Sequence, residues 1–147
     1  MEKIIIYTDG GARNNPGPAA AGVVILSSNN KLIKKYSQYL GDNLTNNQAE
    51  YMAVIFALKK VKSLFGKKKA KNLSLEIRTD SNLLVKQLNG KYRILDSKIQ
   101  PLFLDVWNLK FDFREVRFNS VLREDNKEAD KLVNEALKKK SSAASLF

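Results

Sequence analysis

A short, uninterrupted apolar run, Ile4-Ile5-Ile6-Tyr7, opens the chain and gives way to Thr8-Asp9-Gly10-Gly11. That pattern predicts a central strand followed by a turn. Asn14-Asn15-Pro16-Gly17-Pro18 predicts a rigid loop. Ala21–Ser27 predicts a second strand, Ser28-Asn29-Asn30 a tight turn, and Lys31–Leu40 a third strand, so the first forty residues read as an antiparallel meander. Thr45 or Asn46 then caps a helix from about Gln48 to Phe65. Ala49, Met52, Ala53, Phe56, Ala57 and Lys60 trace one stripe along it at helical spacing.

Gly66–Lys71 reads as a lysine-rich turn and Leu73–Thr79 as a fourth strand. Asp80-Ser81 caps a short helix ending near Leu88-Asn89-Gly90. Lys98–Leu109, with Pro101 in its first turn, predicts a further helix, Phe113–Val121 a fifth strand, and Lys127–Lys139 a closing helix. Strands first, then strands alternating with helices, imply one mixed sheet covered by helices on both faces. The fold class is α/β, in a single domain over residues 1–140, with Ser141–Phe147 expected as a flexible tail. Tyr7, Phe56, Phe103, Trp107 and Phe118 fall on apolar faces and are expected in the core. Tyr92, in a basic polar loop, is the one aromatic considered as a substrate contact.

Composition narrows the chemistry. The chain has 147 residues, 44% of them hydrophobic, and a formal net charge of +11. Such a charge favours polyanionic partners. There are no cysteines and no histidines. Disulfides, thiolate nucleophiles, zinc-cysteine sites, Ser-His triads and imidazole ligands are therefore excluded. A metal here must be held by oxygen, which points to Mg²⁺ or Mn²⁺. Met1–Ile6 is too short for a secretory signal and no run is long enough to span a bilayer, so no membrane partner and a cytoplasmic location are expected.

Against that basic background four acids stand out: Asp9, Glu50, Asp80 and Asp130. Chemistry on an open sheet of this kind collects at the carboxyl ends of neighbouring strands. Asp9 is expected to close the first strand and Asp80 the fourth. Glu50 lies in the first turn of a long helix, and Asp130 one turn into the last. Taken singly, each has a plain structural explanation: a turn residue, a solvated first-turn acid, an N-cap, an exposed helix charge. Taken together, four crowded carboxylates would repel one another unless a divalent cation neutralised them. Two such ions about 4 Å apart serve in-line attack on a phosphodiester.

The ordered set of Thr8-Asp9-Gly10-Gly11, Asn15-Pro16-Gly17-Pro18, Thr45-Asn46-Asn47-Gln48-Ala49-Glu50, Thr79-Asp80-Ser81 and Arg123-Glu124-Asp125-Asn126-Lys127-Glu128-Ala129-Asp130 resembles type 1 ribonuclease H, from about Ile4 to Leu137. The resemblance implies a ribonuclease H-like fold, a five-stranded mixed sheet made of a three-stranded antiparallel meander plus two parallel strands. It also implies hydrolysis of the RNA strand of RNA–DNA hybrids, leaving 5′-phosphate and 3′-hydroxyl ends. By similarity, Asp9 would bridge two Mg²⁺ ions, Glu50 and Asp80 would hold the ion on the leaving-group side, and Asp130 the other. Asn15, Asn46, Asn47 and Asn82 match minor-groove contacts, where the 2′-hydroxyl marks RNA. Thr45 matches a residue that grips a DNA-strand phosphate. A monomer is expected, and duplex RNA stays open as a side substrate.

Three departures matter. Where many family members carry a histidine before the last acid, this chain has Arg123 in a shorter loop resembling the archaeal-type branch. Arginine is no base at neutral pH, so it would stabilise phosphate, or else pair on the surface with Glu124 or Glu128. The basic helical handle of some members is missing, leaving Lys67, Lys68, Lys69, Lys71, Lys91 and Arg93 as candidate phosphate contacts. Asp96 stands where relatives often place an asparagine. Two other readings compete with the enzyme: a module that binds hybrids without cutting, and a DNA-cutting relative on the same fold.

Overall fold

The computed structural model describes residues 2–145, with side chains through Ser141. Its centre is a strand, β1 (Glu2–Ala12), flanked by β2 (Gly17–Ser27) and then β3 (Leu32–Leu44) on one side, and by β4 (Leu73–Thr79) and then β5 (Glu115–Ser120) on the other. The order is β3-β2-β1-β4-β5. β1, β2 and β3 pair antiparallel, while β1–β4 and β4–β5 pair parallel. This is the expected five-stranded mixed sheet.

The first strand does not stop at Asp9-Gly10-Gly11. Antiparallel pairing with β2 runs on to Ala12 opposite Ala19, whereas parallel pairing with β4 ends at Tyr7 opposite Arg78. The two glycines are therefore strand residues, and Gly10 is there because a neighbouring helix presses on it rather than because the chain turns. The predicted loop shrinks to a turn over residues 13–16, closed by Arg13 N–H donating to Pro18 C=O at 2.9 Å.

Helices cover the sheet on both faces. α1 (Asn46–Phe65) starts from a reciprocal cap: Thr45 Oγ1 accepts from Gln48 N–H and Gln48 Oε1 accepts from Thr45 N–H, which satisfies two end donors of the helix. Its buried side is broader than the predicted stripe. Tyr51, Val54, Leu58 and Val61 are buried with Ala49, Ala53 and Ala57, because α1 packs against both the sheet and α4 (Gln100–Lys110). Met52 and Phe56 are only half-buried, and Lys60 lies over the rings of Tyr36 and Phe56.

The lysine-rich turn winds into one helical turn, α2 (Lys67–Ala70), anchored by buried Ala70. α3 (Asn82–Leu88) begins at Ser81, whose Oγ accepts from Leu84 N–H. α5 (Lys127–Ser145) follows a single 3-10 turn at Arg123–Asn126 and lies across β1, β2 and β3. No glycine or proline interrupts Ser141–Ser145, and this part of the expected loose tail is helical.

Phe118 is in the core as expected, but Trp107 is 46% exposed. It sits between the rings of Phe103 and Phe111 with Lys110 Nζ 4.2 Å from its ring centre. Among the described residues no helix is long and apolar enough to cross a membrane.

Candidate active site

Two close approaches of helix to strand set the geometry. A β-carbon on Gly10 would lie 2.2 Å from the carbonyl oxygen of Ala49, so only glycine lets α1 rest on β1 there. Glu50 is the next residue, and it is carried to the edge of β1. A β-carbon on Gly22 would lie 2.0 Å from the carbonyl oxygen of Ala129, which brings α5 down on β2. Asp130 follows immediately. Gly22 pairs with Asp9 across the antiparallel ladder. The third approach is within the sheet itself, where β4 runs parallel to β1 and delivers Asp80 beside Asp9.

All four acids line one open cavity of about 460 Å³, together with Gly10, Gly11, Ala12, Arg13, Asn46, Asn47, Ser81, Arg123 and Asn134. Asp9 is its most buried acid, at 9% exposure. Burial, and then the charges of Asp80 and Asp130, push the Asp9 carboxyl up to about 7, although hydrogen bonding to the Gly10 backbone pulls the other way. Glu50 is raised well above the ordinary carboxyl range, first by burial, then by Asp9 and Asp80; hydrogen bonds from the Gly10 backbone and Thr79 oppose this. The Thr79 hydroxyl donates to Glu50 Oε2 at 3.4 Å.

A divalent cation at this place meets a donor set it accepts: four carboxylates, no softer ligand, and crowding that added positive charge relieves. Among the described residues, no three acidic side chains already form a closed ligand cage. The carboxylates share a cavity rather than a point, as mutually repelling groups do.

Three further residues belong to the site. Asn126, 2% exposed, donates its amide to the Thr8 carbonyl at 2.9 Å and to Asp80 Oδ1 at 3.1 Å. Asn134, one turn after Asp130, has its amide 3.5 Å from Asp130 Oδ2. Arg13 lies on the cavity wall near the start of β2. Reading acids alone overlooks all three. The signal available for Asn126 was its place in the Arg123–Asp130 motif, at the end of the 3-10 turn just before the helix that carries Asp130.

The expected substrate contacts divide. Asn47 and Asn46 line the cavity. Asn46 Oδ1 accepts from Ala12 N–H, and Asn15 Oδ1 accepts from Asn46 N–H, so these two amides also tie the 13–16 turn to α1. Thr45 Oγ1 serves as the helix cap. Asn82 is exposed on the first turn of α3 and does not line the cavity. Arg123 is exposed, lines the cavity, and takes part in no ion pair among the described residues; Glu128 pairs with Lys35 instead.

Asp96 Oδ1 accepts from Lys98 N–H, bracing the turn before α4. Tyr92 is half-exposed and its hydroxyl bonds Lys86 Nζ. The 67–71 lysines sit at the far end of the sheet, where Lys69 pairs with Glu2. Seven strand residues separate Glu2 from Asp9, about 23 Å at ~3.3 Å per residue.

Comparison with known proteins places this arrangement. A family model described as reverse transcriptase-like matches residues 7–136. Ribonuclease HI of Halobacterium salinarum is 36% identical over 135 residues, covering 92% of this chain and 64% of that protein. The solved LC11-RNase H1, in complex with an RNA/DNA hybrid, is 41% identical with a TM-score of 0.87, covering 92% of this chain and 97% of that one. The chain belongs to the type 1 ribonuclease H family. The N-terminal RNase H domain of Rv2228c from Mycobacterium tuberculosis is similar too, at 30% identity and a TM-score of 0.86 over 98% of this chain and 99% of that domain. The whole Rv2228c protein is described as bifunctional, and this chain spans only 35% of its length. Within the type 1 ribonuclease H family, then, similarity extends across nearly all of this chain but not across all of its relatives.

Proposed function

We propose that this protein is a metal-dependent endonuclease that hydrolyses the RNA strand of RNA–DNA hybrids, leaving 5′-phosphate and 3′-hydroxyl ends. The observation that carries this reading is the meeting of Asp9, Glu50, Asp80 and Asp130 in one cavity of a chain with net charge +11. Asp9, Glu50, Asp80 and Asp130 would together hold Mg²⁺ or Mn²⁺. Bound there with substrate, such ions supply the charge that favours attack of water on phosphorus and departure of the 3′ oxygen. Arg123 at the rim offers a fixed cation to the phosphate.

Selectivity for RNA falls to the amides beside the acids. Asn47 and Asn46 on the first turn of α1 line the cavity, with Asn15 bonded to Asn46, and these amides would meet the 2′-hydroxyls of a minor groove. The solved relative bound to an RNA/DNA hybrid supports the same partner. Thr45, whose hydroxyl caps α1, and Asn82 on α3 would extend the contact along the backbone. The protein acts as a monomer in the cytoplasm on this reading.

The test is cleavage of an end-labelled hybrid, with duplex DNA and duplex RNA in parallel, in Mg²⁺, in Mn²⁺ and in EDTA. Cutting confined to the RNA of the hybrid and abolished by EDTA is the expected result. Tight hybrid binding without cleavage in any metal would leave a binding module, and preferential cutting of duplex DNA would leave a relative with a different substrate.

A further inference from the structure

Asn126 occupies the one place where the sheet opens under the acids. Parallel pairing of β1 with β4 ends at Tyr7 opposite Arg78. Beyond it β1 carries on through Asp9 and β4 ends at Thr79, just before Asp80, without a ladder between them. The side-chain amide of Asn126 spans that opening. Its Nδ2 donates at 2.9 Å to the carbonyl of Thr8, the peptide that carries Asp9, and at 3.1 Å to Asp80 Oδ1. A single planar group therefore ties one acid's backbone to the other acid's carboxylate.

Fold stability alone is a poor explanation for an asparagine here. The residue is buried, and its Oδ1, like the neighbouring Thr8 hydroxyl, has no hydrogen-bond partner. A buried acceptor left unpaired costs stability. What the amide supplies in return is a fixed Asp80 orientation, with one oxygen held by Asn126 and the carboxylate turned on the cavity it lines.

We infer that Asn126 is a positioning residue of the carboxylate site, setting the separation of Asp9 and Asp80 and, through it, the affinity for divalent cations. This rests on the metal-dependent reading above. Partners that orient metal ligands typically change affinity or activity by about 10–100-fold when removed.

The experiment measures Mn²⁺ binding to the full chain by calorimetry for the wild type, Asn126→Leu and Asn126→Ala. Leucine keeps the branched outline and heavy-atom count of asparagine, though it is bulkier, and removes both N–H donors. Both variants are expected to bind Mn²⁺ about 10–100-fold more weakly, with kcat for hybrid cleavage falling and KM staying within about twofold. If the role were packing alone, Asn126→Leu would keep wild-type metal affinity and kcat, and only alanine would suffer; that outcome overturns the inference while leaving the nuclease reading intact. A wild type that takes up neither Mn²⁺ nor Mg²⁺ would overturn both. Should Asn126→Leu not fold, the ¹⁵N side-chain amide signal of Asn126 in the wild type decides: it must shift on titration with Mg²⁺, and a signal unmoved at saturation overturns the assignment.

Discussion

Gly22 stands directly across the antiparallel ladder from Asp9, and its missing side chain is where α5 touches the sheet. Asp130 is one residue beyond that contact, so the spacing of two acids 121 positions apart depends on a hydrogen atom at residue 22. Gly10 does the same for Glu50 through Ala49. Gly22→Ala should lower stability by about 1–3 kcal/mol, the range typical when backbone must shift to admit an extra methyl group, and lower cleavage further in the fraction that folds. Gly11, whose β-carbon would find ordinary contact with Val133 at 3.5 Å, is the control: Gly11→Ala should change the urea midpoint far less.

Asp9→Asn separates catalysis from folding. The acid is the hub of the cluster, so cleavage should fall on the order of 10³-fold or more. Metal-free stability should move the opposite way. An acid whose pKa is raised on folding weakens the fold once pH exceeds its unfolded value, and for Asp9, raised to about 7, the penalty is complete above that pH. Removing the charge should raise stability at pH 8 by about 1–3 kcal/mol, read from urea denaturation in EDTA. A variant that cut normally would remove Asp9 from the site.

How far the sequence announced all this depends on the kind of signal. β4 was legible to the residue, because alternating Leu73, Leu75 and Ile77 fit one buried face. β1 was read short at its C-terminal end: Gly10-Gly11 has the local signature of a turn, and only a helix arriving at Ala49, 39 positions later, shows why Gly10 was needed in a strand. The α1 stripe was misplaced for a related reason, since periodicity gives one buried side and α1 has two neighbours. The four acids were legible through charge and order along the chain. Asn126 was not, because its role lies in two hydrogen bonds to residues 118 and 46 positions away.

Divalent cations should stabilise the protein in a pH-dependent way. Raised carboxyls at Asp9 and Glu50 mean that their ionisation costs stability as pH rises from the ordinary carboxyl range toward 7 and above. A bound cation offsets that repulsion, and it binds the ionised form. The increase in Tm on adding saturating Mg²⁺ should therefore be small at pH 5 and larger at pH 8. Equal increases at both, measured by thermal unfolding at constant ionic strength, would show that the carboxylates are not the binding groups.

On the same face of the sheet, further down β4 from Asp80, an acid behaves in the reverse sense. Glu76, with its side chain 13% exposed, accepts from Arg78 Nε at 2.6 Å and pairs with Lys3 at 3.0 Å, while Arg78 Nη1 also donates to the Tyr7 hydroxyl. The Arg78 hydrogen bond outweighs partial burial and, with Lys3, lowers the Glu76 carboxyl to about 2. A carboxyl lowered on folding contributes stability that is whole above its unfolded pKa, near 4.5, and disappears as pH falls through about 2. The contribution is at most about 3 kcal/mol. Glu76→Gln should therefore lower the urea midpoint at pH 7, and the gap from wild type should close steadily between pH 4.5 and pH 2. Because Asp9 and Glu50 titrate alike in both proteins, they cancel from the difference. A gap that stayed constant across this range would mean that Glu76 contributes shape rather than charge.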